Sequence, residues 1–130
     1  MRSVHLSVVI RRPPGEVYAF AADLDRLPDW AAGLAAGVRR TADPHVVVAD
    51  SPMGAVSVRF AEPNPFGVLD HDVTLPDGEV VANPMRVLAH PEGSEVVFTV
   101  RQRDLDEADF AGDCAAVQAD LDALRARLEA

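Results

Sequence analysis

The chain has 130 residues, 48% of them hydrophobic and 25% charged, which suits a single soluble domain over residues 1–130 with one core. Its 21 acidic residues outnumber 12 basic ones, all arginine, for a net charge of -9; without a clustered basic face it is a poor partner for nucleic acid or an anionic membrane. The lone Cys114 excludes an intrachain disulfide, and the chain opens directly on a strand pattern with no apolar leader and no bilayer-length apolar stretch, so the expected location is the cytoplasm.

In chain order, Val4, Leu6, Val8 and Ile10 alternate with His5, Ser7, Val9 and Arg11, the pattern of a half-buried strand ended by Arg12-Pro13-Pro14-Gly15. Val17, Phe20 and Ala21 predict a short helix over Glu16–Ala22. Leu24, Leu27 and Trp30 predict a second, kept short by Pro28. Gly33 to Arg40 reads as a loop leading into a short strand. A meander then follows, with strands expected at His45–Asp50, Gly54–Ala61, Val68–Leu75, Glu79–Ala89 and Ser94–Arg103, separated by proline- and glycine-bearing turns short enough to make neighbours antiparallel. The chain ends in a long helix. Asp104 and Glu107 form its expected capping box, and Phe110, Cys114, Val117, Leu121, Leu124 and Leu128 recur as one apolar stripe. Acidic residues crowd its start and Arg125 and Arg127 its end, as the helix dipole favours.

Within the strand Val68–Leu75, residues Leu69, His71, Val73 and Leu75 share one face while Asp70, Asp72 and Thr74 share the other, so His71 is expected to point inward. If Asp77-Gly78 is a two-residue turn, Leu75 pairs with Val80, Val73 with Ala82, His71 with Pro84 and Leu69 with Arg86. Arg86 then shares the inner face with His71. A one-residue bulge would reverse this, sending Arg86 out and Asn83, Met85 and Val87 in. Val56, Val58 and Phe60, and Val96, Phe98 and Val100, are the expected inner sets of their strands, with Trp30 closing one end.

The run Pro13 through Phe20, Leu27-Pro28-Asp29-Trp30, Asn64 through His71, Asn83 through Val87 and Gly93-Ser94-Glu95 together resemble the START-like, or SRPBCC, superfamily, in particular its small bacterial polyketide cyclase/dehydrase-like members. The resemblance covers essentially the whole chain. It implies an α+β helix-grip fold: a curved antiparallel sheet wrapped around the long C-terminal helix, two short helices after the first strand, and a cavity between sheet and helix that takes a hydrophobic or amphipathic small molecule. It implies no single reaction, because the fold hosts lipid carriers, hormone receptors, aromatase/cyclases, oxygenase domains and chaperone activators alike.

On that architecture the ligand-binding set is His71, Arg86, Trp30, Phe60, Val73, Phe98 and Val100. Each has a plainer explanation. A buried histidine is often a neutral ring bonded to the backbone, a buried arginine is usually tied to a carboxylate, and Trp30 and Phe98 serve equally as core. Asp70 and Asp72 flank His71 but face the other way, so no metal site is expected, and no cofactor is implied. Cys114 fills a stripe position without a basic neighbour, and no nucleophile triad or phosphate loop is present. The charges of the last helix read as a solvated face. The expected function is binding of a small hydrophobic or amphipathic ligand by a monomer or homodimer acting as a carrier or sequestering protein. The alternative is a cyclase/dehydratase-like enzyme with His71 as general base and Arg86 as oxyanion stabiliser.

Overall fold

The computed structural model describes residues 1–32 and 35–130. Strand β1 (Ser3–Ile10) leads into α1 (Pro14–Ala22), a 3-10 turn at Leu24–Arg26 and α2 (Leu27–Trp30). Then come β2 (Val38–Arg40), β3 (Val46–Ser51), β4 (Gly54–Phe60), β5 (His71–Thr74), β6 (Val80–Asn83), β7 (Met85–His90), β8 (Gly93–Arg101) and α3 (Glu107–Glu129). The pairs are all antiparallel, in the orders β2-β3-β4-β5-β6 and β1-β8-β7. The two groups meet where β6 passes into β7, so a curved sheet closes around α3, which packs on β1, β8 and α2. This is the expected α+β helix-grip arrangement. Of the segment read as a loop into a short strand, Gly33 and Leu34 lie outside the described residues, and β2 supplies the strand.

The local reasons are legible. Pro14 starts α1 at its first turn, where a missing N–H costs nothing. Val8 and Ile10 on β1 and Val96 and Phe98 on β8 fall on the buried side of the alternation, and β1 pairs with β8 along its whole length. Helix α3 begins two residues later than the capping box suggests. Its N-cap is Asp106, whose carboxylate accepts the Asp109 N–H at 2.8 Å, because Arg103 takes a left-handed φ of 53° and Gln102 to Leu105 make a turn instead.

Two departures from the expected strands decide what faces the helix. The long strand expected over Glu79–Ala89 is broken at Pro84, which has no N–H to give a ladder, and each half pairs with a different neighbour. Asp70 repairs the break: one carboxylate oxygen accepts the Met85 N–H at 2.9 Å and the other the Arg86 guanidinium at 2.8 Å. The second departure is the turn. Leu75 N–H donates to Glu79 O and Gly78 N–H to Leu75 O, so the loop holds three residues, with Pro76 opening it and Gly78 at φ 93° closing it as a bulge. His71 therefore pairs with Asn83 and Val73 with Val81, one residue away from the expected register.

That shift corrects the expectation for Arg86. It lies on the outer face, its side chain 44% exposed and paired with Asp70, while Met85 and Val87 are buried. The segment before β5 is also structural. Asn64 donates to Glu62 O and Val68 O and accepts from Phe66 and Val68 N–H, and Gly67, at φ 72°, sits so close to the Val87 carbonyl that a side chain there would collide with it.

Replacing Asp70 with Ala strands the Met85 N–H at the Pro84 break and is expected to cost about 1–3 kcal/mol in urea unfolding, against less than about 1 kcal/mol for Arg86→Ala, which loses only an exposed ion pair. Equal costs would show that the ion pair, and not the repaired backbone, holds the kink.

Candidate functional site: a cavity between sheet and helix

The inner face of the sheet does not close fully on α3. The helix stripe is buried at Phe110 and again at Leu121, Leu124 and Leu128, but Cys114 and Val117 between them are only half-buried. Beside Val117 lies a cavity of about 220 Å³. Its walls come from α2 (Leu27, Trp30), the inner faces of β4 to β6 and β8, and one side of α3. That is above the roughly 150 Å³ of an engineered apolar cavity that holds benzene and below the roughly 300 Å³ at which drug-sized sites begin.

Phe60, His71 and Asn83 form a row across the wall, because β4 pairs Phe60 with His71 and β6 pairs Asn83 with His71. The imidazole stacks on Phe60 with centroids 4.6 Å apart and meets the Phe98 ring edge-on at 5.6 Å. His71 is only 6% exposed. Its Nδ1 donates to the Leu69 carbonyl at 2.9 Å, which sets the tautomer: the proton sits on Nδ1 and Nε2 carries a lone pair. No residue among those described bonds to Nε2. Burial pushes the His71 pKa below its ordinary value of 6.5; the Leu69 carbonyl and the negative charges of Asp70 and Asp72 pull the other way and lose. The ring is held neutral, with one open acceptor.

Trp30 supplies the opposite character. It is 3% exposed, lines the same cavity, and its indole Nε1–H is the one fully enclosed side-chain nitrogen or oxygen without a partner among the described residues. An unpaired buried donor costs roughly 1–3 kcal/mol, and its enclosure keeps it out of reach of a molecule in the cavity.

Six of the seven residues expected at the site, His71, Trp30, Phe60, Val73, Phe98 and Val100, line the cavity, and Arg86 does not. Asn83 lines it too, brought in by the three-residue turn as the bulged alternative register anticipates; what sequence reasoning missed is a charged group comprising Arg103, Asp113 and Asp120. The helix acids had read as a solvated face, yet Asp113, Ala116, Val117 and Asp120 recur at steps of three, one and three, a second stripe beside the apolar one. Arg103 joins Glu79 on the β5–β6 hairpin to Asp113 on α3, so a cation bridges sheet to helix beside the cavity. Asp70 and Asp72 lie across the sheet from the His71 ring, and among the described residues no three His, Cys, Asp or Glu side chains gather as a metal-binding group. No described helix is long and apolar enough to cross a membrane.

This geometry has relatives. Residues 1–129 match the model of the family described as polyketide cyclase/dehydrase and lipid transport. The chain belongs to that family. Among solved structures it is similar to XoxI of Bacillus cereus, with 17% identity and a TM-score of 0.77 over 98% of this chain and 96% of that one. It is equally similar to the Zhui aromatase/cyclase of Streptomyces sp. R1128, with 16% identity and a TM-score of 0.76 over 98% and 93%. DynU16, a protein of the dynemicin biosynthetic locus, gives 15% identity and a TM-score of 0.76, but the match covers 98% of this chain and 47% of that one. At such identities the likeness is one of fold. No curated protein matches the chain.

Because the folded pKa of His71 is lowered, the unfolded chain takes up a proton first as pH falls, and stability present above about pH 6.5 is lost below it, down to the folded value. His71→Phe removes that loss. Urea titrations across the range are expected to show a shallower fall in unfolding free energy for the variant than for the parent, with the three other histidines common to both; equal slopes would dissociate the effect from His71.

Proposed function

We propose that this protein binds a small apolar molecule with one polar end in the cavity between sheet and α3, as a carrier or sequestering protein. The observation that carries this reading is an apolar chamber of about 220 Å³ whose inner wall holds a buried ring with a single open hydrogen-bonding position. Family membership supports it, since lipid transport stands in the family's own description.

The enzymatic alternative loses its second residue with Arg86, which faces out and is paired with Asp70. His71 is also a weak base here, because the burial that lowers its pKa opposes the imidazolium that proton abstraction would create. The Zhui protein is an aromatase/cyclase, but it shares only the fold with this chain at 16% identity.

Native mass spectrometry of freshly purified protein is expected to show a non-covalent adduct of small mass that is released on unfolding. For the site itself, Val73→Phe places a larger ring in the chamber. It is expected to weaken naphthalene binding at least about tenfold by calorimetry while costing no more than about 3 kcal/mol of stability. Undiminished naphthalene binding in a folded Val73→Phe variant would move the ligand elsewhere.

A further inference from the structure

The polar groups of the cavity define the ligand more narrowly than its shape does. The Nδ1–H of His71 is committed to the Leu69 carbonyl, so the ring can only accept, at Nε2. Nε2 has no partner, and Trp30 Nε1 is the one enclosed orphan among the described residues, so Nε2 still touches open space. On the inner face that space is the cavity. The enclosed N–H of Trp30 is out of a ligand's reach, which leaves Nε2 as an open polar position of the His71 row. An unmet acceptor on an apolar chamber is satisfied by a group that donates through hydrogen.

Charge argues in the same direction. A carboxylate brings only lone pairs and would meet an imidazole that offers a lone pair of its own. Cationic help is limited: Arg103 is engaged by Glu79 and Asp113, and Asp113 and Asp120 add negative charge to the same lining. Arg101 also contributes to the lining, but it belongs to the exposed end of β8, away from the His71 row. The whole chain, at -9, repels anions at longer range.

We propose that the cavity selects an uncharged hydroxyl compound, an alcohol or phenol on a one- or two-ring apolar body, whose O–H donates to Nε2 of His71, and that it turns away carboxylates of the same size. This rests on the small-molecule reading of the cavity and specifies the chemistry it takes.

The test is a matched series at neutral pH, in which naphthols are uncharged and naphthoates ionised: 2-naphthol, naphthalene and 2-naphthoate, with phenol, benzene and benzoate as a one-ring set, each titrated calorimetrically. Within a set the hydroxyl compound is expected to bind about two- to tenfold more tightly than the hydrocarbon, the net worth of one hydrogen bond, and the carboxylate at least about tenfold more weakly than the hydroxyl compound. In His71→Phe, which keeps a ring but removes the acceptor, the hydroxyl compound should fall to the affinity of the hydrocarbon, whose own affinity stays within about twofold. Should that variant not fold, the ranking of the three probes on the parent protein decides. A carboxylate that binds as well as the hydroxyl compound, or a hydroxyl compound no better than its hydrocarbon, overturns this proposal and leaves the binding cavity standing. Failure of all six probes to bind overturns the cavity reading itself.

Discussion

The hairpin between β5 and β6 closes on three residues, Pro76, Asp77 and Gly78, and that count governs which side chains of the following strand face α3. A strand has a period of two, so one residue more or less in the turn exchanges its faces completely. With three, Asn83 joins His71 on the inner row, Met85 and Val87 enter the core, and Arg86 stays outside. The turn is stabilised by its own residue types: proline set for the first turn position, Asp77 accepting the Glu79 N–H at 2.9 Å, and glycine at a φ of 93°. Glu79, the first residue beyond it, then reaches Arg103, which ties the hairpin to the helix side of the cavity.

Pro84 works with this register. An unbroken strand from Val80 to His90 would have to serve β5 and β8 along one line. The missing N–H at Pro84 lets the two halves diverge, so the sheet curves around α3, and the Asp70 carboxylate takes the Met85 N–H that the break exposes. Curvature leaves the middle of α3 short of partners, and the cavity occupies that gap next to Val117. Asp70 and His71, adjacent in sequence, thus serve opposite sides of the sheet. One holds the bend from outside and the other lines the space that the bend creates.

The electrostatics of the cavity follow from the same placement. His71 lies between Phe60 and Phe98, where an imidazolium would be poorly solvated, and its backbone bond fixes the proton on Nδ1. A neutral ring with one lone pair is suited to recognition more than to proton transfer. The charged groups Arg103 and Asp113 stand beside the chamber and link β5–β6 to α3, so the polar structure of the site is divided between the His71 acceptor inside and an ion-paired group where sheet meets helix.

The alternation of Val4 to Ile10, the proline-limited helices, the turn-separated meander and the α3 stripe determined the fold, because period and punctuation are local properties that the chain carries on its own. The same alternation put His71 inside and Asp70 outside without reference to any other strand. Only tertiary structure decided the rest. Whether a glycine-containing turn closes on two or three residues depends on which hydrogen bonds the paired strands make, and Arg86 changed faces on that point. That Asp113 and Asp120 border a cavity and are not simply solvated depended on where the curved sheet parts from α3, a distance between elements that no spacing along the chain records.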